Sequence, residues 1–293
     1  MGGDLFQLDK AYKHWIGEAS PVWLQDMRSL LEEGETAMKR VKWLNDEVQS
    51  VLSTCGGHKR LAAKGITHRL SDVQIMAPIL NPEKIICIGL NYKDHCLEQN
   101  VPMPKNPILF SKFSTAIIGS EDKIVRSRAT GQLDFEGELA FVIGRRGKRI
   151  PVEDAMEYIV GYTIFNDVSA RDIQFSDRQW LRGKTFDTFA PMGPFLVTKD
   201  EVKNPHQLDI KVKVNGNAMQ DSNTKNMIFR IPYLVNFISQ VVTLSPGDVV
   251  ATGTPAGVGV FRKPPVFLKD GDEVAIEVEK LGVLRNTVAD EKR

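Results

Sequence analysis

Residues 133–146 read LDFEGELAFVIGRR, and the acids at the head of this stretch raise the first chemical question. Glu136 and Glu138 are two apart, so on an extended strand their carboxylates share one face. Phe135 stands before Glu136, and an apolar run continues from Leu139 to Ile143, as in a strand buried on both faces. Two buried like charges repel and are costly to desolvate, so they must share a proton, meet cations or hold a metal. Arg145 and Arg146 follow Gly144, which is expected to turn them away. A third carboxylate, Asp167, closes another apolar strand in GYTIFNDVSARD. Three acids from two strands make an oxygen-only corner, which suits Mg2+ or Mn2+. Zinc normally takes histidine or thiolate, and this motif has neither. On pattern alone two readings stay open, a metal corner and three unrelated acids at strand edges.

Other residue types complete a possible site. In NYKDHCLEQN, His95 and Glu98 stand at i and i+3, facing each other on a helical turn. A carboxylate on one imidazole nitrogen fixes the tautomer and makes the other nitrogen a better base; an ordinary surface pair is the plainer alternative. Arg171 and Gln174 lie four and seven residues past Asp167, within reach of the same corner, with arginine suited to a bidentate grip on a carboxylate. Asp172 is the expected structural partner of Arg171. Lys184, in WLRGKTFDTF, is on its type alone an exposed lysine. GTPAGVG (253–259) lacks a GK[ST] ending and opens no helical pattern, so a nucleotide site is not expected. Its tight turn is expected to present Thr254 and backbone N–H groups to a substrate carboxylate.

The elements that must position these groups fall into two parts. Residues 1–77 form a small, mainly helical region. There Ser20-Pro21 opens a pattern with Trp23, Leu24, Met27, Leu30 and Leu31 at helical spacing, Gly34 interrupts it, and Ala37, Met38, Val41 and Leu44 continue it. Residues 78–293 form the catalytic region, where strands dominate: KIICIGL, GELAFVIG, GYTIFND and the alternating LDIKVKV. A short helix is expected at Val152–Val160, a hairpin turn at Asn215-Gly216, a helix from Ile231-Pro232, and two strands around Leu281-Gly282. The fold class is β-rich α+β, without the βαβ alternation of a doubly wound sheet.

Bulk properties exclude several functions. The 293 residues carry 38 basic and 37 acidic side chains for a formal charge of +1, so there is no electrostatic footprint for nucleic acid. No apolar run is long enough for a membrane span. The opening MGGDLFQLDKAYKHW has neither an apolar signal-peptide core nor an Arg/Ser-rich, acid-poor pattern, so no secretory signal or transit peptide is expected there. Cys55, Cys87 and Cys96 are odd in number and lack CxxC spacing, which argues against a disulfide framework or structural zinc. Cys96 adjoins His95, but catalytic Cys–His partners meet in space rather than in sequence.

The set IGLNYKDHCLEQN, NPILFSKFSTAIIG, LDFEGELAFVIG, GYTIFNDVSARDIQ, QWLRGKTFDTFAPMGP and LSPGDVVATGTPAGVG resembles the fumarylacetoacetate hydrolase superfamily, over about residues 82–285 and in the family's order. SNTKNMIF, VFRKPPVF and PVFLKDGDEVAIEVEKLGVLRN resemble its domain-containing protein 2 branch most. The N-terminal 77 residues do not show the family's motifs. The resemblance implies a mixed β-roll or sandwich, a homodimer, and Mg2+ or Mn2+ on Glu136, Glu138 and Asp167. It places the His95–Glu98 pair on a lid that continues into the proline-rich 101–107 segment, and points Lys184 at a substrate oxygen beside the metal. It implies an enzyme acting on small 2-oxo acids through a metal-bound enolate. Oxaloacetate keto–enol tautomerisation comes first, acylpyruvate or fumarylacetoacetate-type C–C hydrolysis second, and oxaloacetate decarboxylation is a further outcome of the same enolate. A binding protein that merely kept the fold would be marked by loss of a metal ligand or of His95, and all are present. The branch implies a mitochondrial matrix or cytoplasmic enzyme, not a secreted one.

Overall fold

The computed structural model describes residues 4–292, which divide into two compact units, one ending at Ile75 and the other starting at Met76. In the first, β1 (Asp4–Phe6) pairs antiparallel with β2 (Thr67–Arg69), and helices α1 (Leu8–Ile16), α2 (Met27–Glu33), α3 (Glu35–Leu52) and α4 (Gly57–Ala63) lie between them in sequence. Ala11, Leu44, Val48, Leu61 and Ile66 form the core of this unit. The helix expected from Ser20-Pro21 starts later. Pro21 opens only a 3-10 turn at Val22–Leu24, and Asp26 is the effective cap, accepting the Ser29 N–H at 2.9 Å and the Ser29 hydroxyl at 2.7 Å.

The second unit is built on two sheets. Among the described residues the larger has seven strands, in the order β4 (Ile108–Lys112), β3 (Ile85–Gly89), β14 (Val249–Ala251), β8 (Gly137–Ile143), β9 (Ile159–Asn166), β11 (Ala190–Thr198) and β5 (Ile117–Ile118). The smaller has five: β13 (Asn217–Asn223), β12 (Asp209–Val214), β15 (Glu273–Val278), β16 (Gly282–Asp290) and β6 (Lys123–Arg126). A short pair, β7 (Leu133–Asp134) with β10 (Ser169–Ala170), sits next to the acids. Helices α5 (Lys93–Glu98), α6 (Arg171–Ser176), α7 (Leu181–Lys184) and α8 (Ile231–Val241) complete the unit. The mixed, β-rich α+β architecture is as expected. Asn215 and Gly216 both have positive φ, 50° and 79°, and join β12 to β13 in the manner of a type I′ turn.

The expected helix over 152–160 does not form. A 3-10 turn occupies Ala155–Tyr158, and the β-branched Ile159-Val160 pair already belongs to β9, where Ile159 pairs with Ile143.

Strand β8 explains how charge and core coexist. It is buried along its whole length, between β14 and β9. Leu139, Phe141 and Ile143 face the cluster that contains Val212 of β12 and Ile276 of β15. Gly137 faces the same way, and a Cβ there would lie 2.4 Å from a Val212 methyl and 3.1 Å from an Ile276 methyl. The close approach of the two sheets therefore requires glycine between the two glutamates, whose side chains take the other face.

Candidate active site

Glu136, Glu138 and Asp167 come together as their spacing predicts. Gly137 pairs with Asn166 across the β8–β9 ladder, so Glu136 and Asp167 meet at its end, and the Asp167 N–H donates to the Glu136 carbonyl at 2.9 Å. One oxygen from each of the three carboxylates lies within 4.8 Å of the others, and all three residues are buried.

Buried cations answer the question raised by the acids. Lys184, the last residue of α7, places Nζ 2.9 Å from Glu136 Oε2 and 2.7 Å from Asp167 Oδ2. Arg171, the first residue of α6, donates Nε to Asp134 Oδ2 at 2.8 Å, places its NH2 nitrogen 2.7 Å from Glu136 Oε1, and donates NH1 to Gln174 Oε1 at 2.9 Å. Lys112, at the end of β4, lies 2.7 Å from Asp167 Oδ1 and donates to the carbonyls of Val168 and Lys184. Arg171 therefore belongs to the corner, but Asp172 does not partner it. Asp172 instead accepts the Thr130 hydroxyl at 2.6 Å and the Gly131 N–H at 2.9 Å.

These contacts treat the acids unequally. Burial opposes ionisation of Glu136, but Lys184 and Arg171 outweigh it and hold its carboxyl well below the usual range. Burial pushes Glu138 well above that range, with Asp167 and Glu136 adding to it; the Gly253 N–H at 2.7 Å only partly compensates. Among the described residues no lysine or arginine forms a salt bridge with Glu138. The donor set thus fits a hard divalent cation: three clustered carboxylates, one of them lacking a positive partner. Cys87 is outside this cluster, and burial, with Asp167 and Glu138 adding, pushes its thiol up.

The His95–Glu98 pair forms on α5. His95 Nδ1 lies 3.1 Å from Glu98 Oε2, and the other Glu98 oxygen accepts the Gly257 N–H at 2.8 Å. The helix itself is tied down by Asp94, which accepts the His95 N–H at 3.0 Å and the Ser222 hydroxyl at 2.6 Å. Cys96 takes no part in a pair with His95; its thiol donates to the Leu90 carbonyl at 3.7 Å.

The glycine-rich loop at 253–259 serves the chain's own acids. Gly253, Gly257 and Gly259 donate their N–H groups to Glu138, Glu98 and Asp134 respectively. Gly253 has φ +98°, and a Cβ there would meet Asn91 Cβ at 2.8 Å, so both conformation and space call for glycine. Thr254 lines the cavity, and its hydroxyl donates to the Gly137 carbonyl at 2.9 Å while accepting from Gln220 Nε2 at 2.8 Å.

One cavity, with room of about 70 Å3, opens onto the site, and Glu136 is the member of the triad that lines it. His95, Glu136, Arg171, Gln174, Lys184 and Thr254 supply polar atoms to its wall. Phe110, Trp180 and Phe261 supply apolar ones, with the Phe110 and Trp180 rings packed edge-on at 5.4 Å. Sequence reading missed Lys112, Asp134, Gln99 and Gln220. For Lys112 a signal exists: in ILFSK the alternation puts Phe110 and Lys112 on one face of β4, and Lys112 is the fully buried member.

A two-sheet roll with a buried carboxylate corner, matched cations and a His–Glu pair defines a class of metal-using enzyme folds. Residues 84–289 match the fumarylacetoacetate (FAA) hydrolase C-terminal family. The chain belongs to the fumarylacetoacetate hydrolase family. It is 53% identical over 264 residues to a Xenopus laevis protein named oxaloacetate tautomerase fahd2, mitochondrial, covering 89% of this chain and 78% of that one. It is 48% identical over 270 residues to the Homo sapiens protein named oxaloacetate tautomerase FAHD2A, mitochondrial, covering 92% and 81%. Among solved structures, a 2-hydroxyhepta-2,4-diene-1,7-dioate isomerase from Mycobacterium marinum aligns with a TM-score of 0.69 at 43% identity, covering 78% of this chain and 82% of that one. A fumarylacetoacetate hydrolase from psychrophilic Exiguobacterium antarcticum aligns with a TM-score of 0.71 at 42% identity, covering 78% and 82%. Among the described residues no helix is long and apolar enough to cross a membrane.

Proposed function

We propose that this chain is a divalent-metal-dependent tautomerase of small 2-oxo acids that interconverts the keto and enol forms of oxaloacetate. The observation that carries the reading is the buried triad Glu136, Glu138 and Asp167, whose Glu136 lines a cavity together with His95 and Lys184. The names of relatives at 48% and 53% identity support oxaloacetate as the substrate.

The three carboxylates would hold Mg2+ or Mn2+, which when bound supplies a Lewis acid for the carboxylate and 2-oxo oxygens of the substrate. The chain's own groups do the rest. Lys184, fixed between Glu136 and Asp167, offers its ammonium to the negative charge that develops on the C2 oxygen. Arg171 fixes Gln174 through its Oε1, leaving the Gln174 amide N–H groups to orient a substrate carboxylate, while Thr254, its hydroxyl proton held by the Gly137 carbonyl, shapes the wall beside it. His95, its Nδ1 proton held by Glu98, carries a proton on Nε2 between C3 and the C2 oxygen, so that ketonisation removes the enol O–H proton and adds one at C3, and enolisation does the reverse. Phe110, Trp180 and Phe261 restrict water at the reacting carbon, which favours proton return over hydrolysis.

Catalysis on this reading resides in residues 78–293, with residues 1–77 a separate small region. The working form is a homodimer, and the compartment is the mitochondrial matrix, a reading supported by relatives named mitochondrial, with the cytoplasm as the alternative. C–C hydrolysis of acylpyruvates is the second reading. The Exiguobacterium likeness favours it, as does a His95–Glu98 pair able to activate water. Enol-oxaloacetate ketonisation, acylpyruvate cleavage and oxaloacetate decarboxylation, assayed side by side with Mg2+ and Mn2+, separate these readings. Ketonisation should be fastest. Faster acylpyruvate cleavage would make the chain a hydrolase, and no turnover in any assay would make it a binding protein.

A further inference from the structure

His95 is held on both sides of its ring. Nδ1 lies 3.1 Å from Glu98 Oε2, and Nε2 lies 2.7 Å from the side-chain amide nitrogen of Gln99. Glu98 is fixed in turn by the Gly257 N–H, and an ionised carboxylate only accepts hydrogen bonds, so Nδ1 carries the ring proton. Nε2 then presents a lone pair, which the Gln99 amide meets with an N–H. Gln99 and His95 line the same cavity, so the capped nitrogen is the one that faces a substrate.

We propose that Gln99 is a positioning residue that, with Glu98, holds His95 in the Nδ1-protonated tautomer, its Nε2 lone pair capped on the cavity side until a substrate displaces the amide. Donors and acceptors decide the state of the ring. An imidazole between two acceptors is driven to imidazolium, whereas one between a carboxylate and an amide N–H stays neutral in a single tautomer. The local sequence builds this arrangement: His95, Glu98 and Gln99 stand at i, i+3 and i+4, and Gln99 closes α5 with its N–H on the His95 carbonyl. The inference rests on the proton-carrying role of His95 proposed above, but its tautomer half needs no substrate.

The test is 15N NMR of the histidine rings in the full-length protein at neutral pH, with the His95 signals assigned by their loss in His95→Asn. The wild type should show a neutral ring protonated at Nδ1. Gln99→Glu should convert it to imidazolium and lower kcat by about tenfold or more, with KM within roughly twofold. Gln99→Met, with Glu98 still holding the Nδ1 proton, should keep the neutral tautomer but move the Nε2 signal as the amide cap is lost, with a kcat loss of only about two- to fivefold. An imidazolium or an Nε2-protonated ring in the wild type would overturn the proposal, as would unchanged His95 signals in Gln99→Glu. If oxaloacetate is not a substrate, the ring signals still decide the role of Gln99, so the two failures are distinguishable.

Discussion

Gly253 donates its backbone N–H to Glu138 Oε2 at 2.7 Å, across a loop that only glycine can form. Glu136 has Lys184 and Arg171, and Asp167 has Lys184 and Lys112, but Glu138 has this neutral donor in place of a cation. The corner is thus short of positive charge at one carboxylate, where a divalent ion would supply it.

Metal binding should therefore expel a proton. Burial, with Asp167 and Glu136, raises the Glu138 carboxyl well above its usual value, and a ligating carboxylate must be ionised. Calorimetric titration of Mn2+ in buffers of different ionisation enthalpy should show release of up to about one proton per ion, and affinity should rise with pH. The sign for stability follows. A carboxyl raised on folding binds its proton more tightly in the folded state, so metal-free stability falls as pH rises through the window above the ordinary carboxylate range. A heat of binding independent of buffer, with affinity flat in pH, would contradict this.

Lys112 is the buried counter-charge of Asp167, with both side chains fully buried. Lys112→Met should cost up to about 3–5 kcal/mol in chemical unfolding of the metal-free protein, because it leaves buried Asp167 with Lys184 alone, a cation already shared with Glu136. Added Mn2+ should restore part of the loss. A cost below about 1 kcal/mol would show that the pair contributes little.

His95→Ala should leave metal binding intact and lower the tautomerisation rate by about 100-fold or more, the scale of a lost general base. Acylpyruvate cleavage should suffer most, since it also needs an activated water. Mn2+ titration alongside steady-state kinetics separates the two effects, and unchanged rates would remove His95 from the chemistry.

His206 provides a pH test away from the site. Its Nε2 accepts the Ile231 N–H at the start of α8, and burial, with Arg230 adding, lowers its pKa to about 4. The unfolded chain binds the proton more readily, so this residue's contribution is complete above about pH 6.5 and is lost as pH falls toward about 4. His206→Asn should flatten stability against pH across that window, as read by urea unfolding; an unchanged slope would show that His206 is not the titrating group.

The acids were legible because a charged pair at i, i+2 conflicts with the apolar run after it, and Asp167 repeats that conflict at the end of β9. Of the cations, Arg171 was within reach by its spacing and Lys184 only through the family resemblance, while Lys112 was not foreseen. A single lysine closing ILFSK reads as an edge charge, and only the sheet order, with β4 laid beside β3, brings Lys112 to Asp167. Gln220 lies more than eighty residues from Glu138 in a polar hairpin strand, and only the packing of β12 on β8 carries it to the Gly137 N–H at 2.9 Å. Near Val152–Val160 the periodicity suggested a helix, but pairing with β8 took Ile159 and Val160 into the sheet.

The most direct measurement is the rate of enol-oxaloacetate ketonisation by protein stripped with chelator, then reloaded, for wild type and Glu136→Gln. The wild type should lose its activity on stripping and regain it with Mg2+ or Mn2+, while Glu136→Gln stays inactive and fails to retain the metal. Full activity of stripped Glu136→Gln would contradict the metal-centred account.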